Sequence, residues 1–208
     1  MPIPKIYSNS GEGAITSYNF YDLSAGTGYK TFYGMKSINK NISGYNLVTE
    51  PMSSLNINTS RGYTISDVNS ALNLNFDCTF PIQMTIQGDA YINIPIAGQG
   101  NTSDWACTLS GALYKVVDTT EILLGDVVVY NMTIDTVADP EWALMSGVIK
   151  IPTTIIKPTD KLRLNIKTNS PGASKYTLIF HDPFGYSNID ADIYDTKLYV
   201  SLPFRIGL

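Results

Sequence analysis

ALNLNFDCTF, residues 71–80, alternates without a break. Leu72, Leu74, Phe76, Cys78 and Phe80 fall on one side of an extended chain, and Asn73, Asn75, Asp77 and Thr79 on the other. Successive side chains of a strand point to opposite faces, so a period of two with one apolar and one polar set marks a half-buried strand. The polar set is expected to meet water.

The pattern continues outward. In MTIQGDAYINIPIA (84–97), Met84, Ile86, Ala90, Ile92, Ile94 and Ile96 oppose Thr85, Gln87, Asp89, Tyr91 and Asn93. In DWACTLSGALYKVVD, Trp105, Cys107 and Leu109 share a face, and Gly111 predicts a bulge or bend. DKLRLNIKTN sends Leu162, Leu164 and Ile166 one way and Arg163, Asn165 and Lys167 the other. KYTLIFHD is apolar on both faces, which predicts a central strand or one covered by another subunit. DTKLYVSLPFRI sets Leu198, Val200, Leu202 and Phe204 together. DPEWALM predicts one helical turn or a loop, and residues 52–70 read mostly as loop.

These strands, with no amphipathic helix among them, predict an all-β, antiparallel β-sandwich of jelly-roll type. Residues 1–16 are expected to form an extended N-terminal arm, and residues 17–208 a single sandwich domain. At 208 residues the chain can bury a sizeable core without disulfides or metal. Only 15% of residues are charged and the net charge is −4, with no basic block, so nucleic acid is not expected as a partner. No run approaches the length of a membrane span, and residues 1–13 lack the pattern of a signal peptide. The sequons at Asn41, Asn58, Asn101 and Asn131 read as chance in an Asn- and Thr-rich chain. Cys78 and Cys107 read as small core hydrophobes, with a disulfide the lesser alternative.

Candidate chemistry is sparse. YDLSAGTGYKTFYG (21–34) places glycines before a lysine, but an aromatic, Thr-rich segment follows where a phosphate cradle needs a helix N-terminus. Gly26 and Gly28 are therefore expected to be turn residues. His181, the sole histidine, is expected at a strand end before the Asp182-Pro183 turn. A hydrolase using His181 and a nearby carboxylate ranks last among the functions considered. Asp182, Asp190, Asp192 and Asp195 could hold a hard cation, but their spacing matches no calcium loop, and a solvated acidic loop is the plainer reading. Glu50, Glu121 and Glu141 single out no carboxylate pair. The sequence thus names no catalytic, cofactor-binding or metal-ligating residue, and no enzyme is expected. Fourteen tyrosines allow a carbohydrate-binding surface, but their place beside apolar residues fits core or subunit interface better.

YDLSAGTGYKTFYG, DKLRLNIKT (160–168), HDP (181–183) and LYVSLPFRI (198–206), together under a fifth of the chain, resemble virion structural proteins of tailed bacteriophages and their relatives. The resemblance implies a capsid decoration or head-fibre β-sandwich, in the virion after synthesis in the host cytoplasm. It also implies a homotrimer with other capsid or virion proteins as partners. A carbohydrate- or receptor-binding module on the particle surface is the alternative.

Overall fold

The computed structural model describes residues 27–39, 42–48, 63–65, 71–100, 105–134, 141–169, 175–181 and 197–205. The expected N-terminal arm lies outside them. Every regular element described is a strand: β1 (Thr27–Asn39), β2 (Ile42–Val48), β3 (Tyr63–Ile65), β4 (Asn73–Thr79), β5 (Met84–Gly100), β6 (Trp105–Val117), β7 (Thr120–Leu123), β8 (Val128–Ile134), β9 (Glu141–Ile156), β10 (Lys161–Thr168), β11 (Lys175–Phe180) and β12 (Tyr199–Arg205).

The strands hydrogen-bond in the order β3-β11-β5-β12-β1-β2-β4-β10-β6-β7, with β9 also on β5 and β8 also on β6. This path folds over on itself. Strands β11, β5, β9, β12 and β1 make one layer, and β4, β10, β6, β7 and β8 the other. One core lies between them. Ile86, Ile92, Ile94 and Ile149 come from the first layer, and Phe76, Leu109, Leu113, Ile134 and Leu164 from the second. The all-β sandwich read from the alternation is the fold; its jelly-roll arrangement stays an expectation.

The sheet is mixed rather than wholly antiparallel. β2 meets β4 in parallel at one pair, Asn46 and Asp77. Parallel neighbours require a long crossover, and residues 49–72 provide the length.

Three local expectations are corrected. First, EWALM of the DPEWALM stretch is not a helical turn; Asp139 and Pro140 lie outside the described residues. Glu141–Met145 form the start of β9, because β5 is 17 residues long and offers a ladder partner to each of them. Second, Gly28 is a strand residue opposite Phe204, not a turn residue; Gly26 lies outside the described residues. Third, Gly111 marks no bulge, since its pairing to Ile166 and Val128 is continuous. A Cβ there would sit 2.8 Å from Ile92 Cδ1, so glycine is needed where the two layers approach closely. Register shifts lie elsewhere: on β9, where Pro152 and Thr153 face the single residue Gln87 of β5, and between Ser201 and Phe204 of β12 against β5. Proline cannot donate to a ladder, so a bulge is where a strand tolerates it.

β11 is central as expected, paired with β3 on one side and β5 on the other. Its outward side carries a second apolar cluster of Leu178 and Phe180 with Ala97, where Trp142 stacks on Phe180 at 4.4 Å.

Candidate functional site

Residues of β9, β5, β12 and β1 that point away from the core form a grid. One row runs Val148, Tyr91, Ser201, Thr31; the next runs Ser146, Asn93, Tyr199, Tyr33. Tyr29 lies two residues from Thr31 on the same face, and its ring meets that of Tyr91 at 5.7 Å. Tyr33 and Tyr199 meet at 6.3 Å. Tyr91 is 45% exposed and Val148 47%, while Tyr29, Tyr33 and Tyr199 are half-buried. Between the rings lie uncharged polar groups. The hydroxyls of Thr31 and Ser201 are 2.7 Å apart. Ser146 Oγ donates to Asn93 Oδ1 at 2.8 Å, and Asn93 Nδ2 donates to the Lys197 carbonyl at 3.4 Å. Asn93 is thereby held in place although its side chain is buried.

The opposite outer face is an internally satisfied polar network. Arg163 donates from Nε and Nη2 to the two carboxylate oxygens of Asp77, each at 2.7 Å, and from Nη1 to Glu121 Oε1 at 2.5 Å. These two carboxylates push the Arg163 pKa upward, the Asp77 hydrogen bond contributing most. Asn165 Nδ2 donates to Asn73 Oδ1 at 2.7 Å and Asn75 Oδ1 at 2.6 Å. The polar side of residues 73–79 therefore meets water only in part. Asn75 and Asp77 are half-buried under partners from β10.

Where β6 ends in β7, the surface turns apolar. Ile122, Leu123, Val127 and Val129 are all more than two-fifths exposed. Among the described strands β7 pairs only with β6, so its other backbone edge is open.

His181 follows β11, as expected of a strand end, but it is 1% exposed. Its ring packs edge-on against Tyr45 at 5.7 Å and lies 6.0 Å from Phe76. Asp182, Asp190, Asp192 and Asp195 lie outside the described residues. Both cysteines are free. Burial raises the Cys78 thiol to about 12, with Asp77 adding to the rise, and burial also raises that of Cys107. Among the described residues no group of three or more potential ligands could hold a metal.

The tyrosine face was only partly legible. Tyr91 reads as outward from its own segment, but core or interface was the expectation for many of the others. The parity of Tyr29 and Tyr33 against buried Phe32, and of Tyr199 against buried Val200, carries the missing signal. What the sequence does not supply is the register that brings three distant segments side by side.

No family model matches the chain. No curated protein matches it in sequence. Among solved structures, it is similar to a CocE/NonD family hydrolase from Staphylococcus aureus, at 8% identity and a TM-score of 0.51, covering 86% of this chain and 37% of that one. It is similar to the same extent to an aminopeptidase from a marine sediment Thaumarchaeota archaeon, at 8% identity and a TM-score of 0.50, again covering 86% and 37%. The chain thus spans little more than a third of their length. Carbohydrate-binding modules of the β-sandwich superfamily and infectious bursal disease virus also match, at TM-scores of 0.31 and 0.25, values that carry no argument about function. At these identities the likenesses bear on the fold alone. They also correct the expectation that no enzyme is involved. The fold is one that hydrolytic enzymes contain, so setting enzymes aside on motif grounds alone does not stand.

Proposed function

We propose that this protein is a structural component of a virus particle, a capsid decoration or head-fibre sandwich that assembles with its own copies through the β7–β8 edge. The observation that carries this reading is the exposed apolar group Ile122, Leu123, Val127 and Val129 beside an open strand edge. Such an edge offers unpaired backbone groups and oily surface together, and folded proteins normally cover or charge it. A second copy presents the same complement. The low charge of the chain and its resemblance to phage virion proteins support the same reading.

Immunogold labelling of virus particles purified from the chain's own source tests the location. Label on intact particles is the expected result, and particles free of the chain by both labelling and mass spectrometry would overturn it.

A second reading follows from the hydrolase and aminopeptidase likeness: the sandwich works as a module of a hydrolytic enzyme. Assay of the chain on p-nitrophenyl esters and aminoacyl p-nitroanilides tests it. Turnover that survives purification and falls in His181→Gln, with the fold checked by circular dichroism, would support it. No turnover on either substrate class would retire a catalytic role for the sandwich itself.

A further inference from the structure

We infer that the tyrosine face of β5, β12 and β1 is a binding site for a neutral oligosaccharide. Three observations converge on that chemistry. The rows holding Tyr91, Tyr199 and Tyr33 contain hydroxyls, amides and Val148 but no ionised side chain; Asp89, Lys150 and Lys197 stand only at their border, the first two opposite each other. An ionic ligand lying along the rings would meet no counter-charge within these rows, whereas a sugar needs none.

The second observation is the mixture of groups. Sugar rings have apolar C–H faces and polar rims. Aromatic rings serve the former, and hydroxyl and amide groups serve the latter. Here two ring pairs, Tyr29 with Tyr91 and Tyr33 with Tyr199, flank the Thr31–Ser201 hydroxyl pair, and the exposed Ser146 hydroxyl, held by buried Asn93, lies beside them. A protein partner of ordinary kind would be met by a more apolar centre.

The third is scale. Tyr29 and Tyr33 are four residues apart on β1, about 13 Å at the usual strand rise. Two ring pairs spread along that length suit successive units of a chain of sugars rather than one monosaccharide. The rings within each pair are inclined by 45° and 63°, which favours a twisted or bent chain over a flat ribbon. The hydrogen bonds that fix Asn93 and Ser201 mean the site is organised before a ligand arrives, which lowers the ordering cost of binding.

Affinity electrophoresis through gels containing laminarin, xylan, galactomannan or soluble starch tests the inference, with the full chain as the sample. Retardation by at least one of these polysaccharides is expected. Tyr91→Ala with Tyr199→Ala should weaken it about tenfold, the scale of losing aromatic stacking, while Tyr91→Phe with Tyr199→Phe should keep most of it. Thr79→Ala, on the exposed side of β4 away from both the tyrosine face and the β7 edge, should leave it unchanged. Circular dichroism confirms that each variant is folded; should the alanine pair not fold, Tyr91→Ala alone replaces it. Migration unaffected by all four polysaccharides would overturn the inference. So would retardation that survives the alanine variant, or retardation that Thr79→Ala abolishes.

Discussion

Phe76 illustrates how much rests on single side chains. It is fully buried, with the Tyr45 ring 5.1 Å away and His181 beside it. Phe76→Ala should cost about 3–5 kcal/mol in denaturant unfolding, because the cavity cannot close around rigid rings; a loss below about 1 kcal/mol would show the site is looser than described. The cysteines give a second check. Cys78 lies opposite Leu162 of β10, and Leu162 lies opposite Lys115 of β6, eight residues from Cys107. Two strand spacings and eight residues put them more than about 20 Å apart, too far for a disulfide. Cys107 is buried and Cys78 half-buried, so both thiols should react more slowly with a thiol-reactive dye in the folded protein than after unfolding; equal rates in the two states would contradict this. Asp160 supplies a pH test. The Lys157 amide donates to its carboxylate at 2.9 Å, and Lys115 Nζ stands 3.1 Å away. The amide chiefly, with Lys115 adding, holds the Asp160 pKa below the usual carboxylate value. A depressed pKa contributes stability that is present above the unfolded value, about 3.9, and is lost as pH falls through the folded one. The stability gap between wild type and Asp160→Asn should therefore be open at pH 6 to 7 and close below about pH 4. A gap that widens on acidification would reverse the assignment.

Among the elements, β6 and β9 show what the sequence could and could not convey. Alternation alone places Ile86, Ile92, Leu109, Leu162 and Leu164 inside, because period two has one reading once a face is apolar. It also finds β10 and β12, whose faces are cleanly divided. It fails where a partner strand decides. Glu141–Met145 look helical or irregular in isolation and become strand because β5 extends beside them. Gly111 looks like a defect in its own strand and is required by Ile92, Ile94 and Met145 of the facing layer. Gly111→Val should accordingly destabilise by about 1–3 kcal/mol in thermal or denaturant unfolding, the usual cost of overpacking. A neutral result would mean the layers stand further apart. The tyrosine face belongs to the same group. Its parity is visible segment by segment, but its assembly depends on registers between residues more than a hundred positions apart.

At the scale of the whole molecule, the sandwich is held by pairings between distant segments. β1 joins β12 across the length of the chain, and β4 joins β10 across more than eighty residues. Loop closure on that scale must precede the contacts that reward it, so stopped-flow refolding should occur in milliseconds to seconds. Refolding in microseconds would be inconsistent with this topology. The two layers also separate the surfaces by character: uncharged tyrosines outside one, an arginine–carboxylate network outside the other, and an apolar edge at β7 and β8. On the function proposed for it, the β7–β8 edge joins copies of the chain. Sedimentation velocity of the wild type and of a variant carrying Ile122→Lys and Leu123→Lys, each across a hundredfold range of concentration, tests it most directly. An oligomer in the wild type that becomes a folded monomer in the variant is the expected result; a wild type that stays monomeric throughout, or an oligomer the two lysines leave intact, would contradict it.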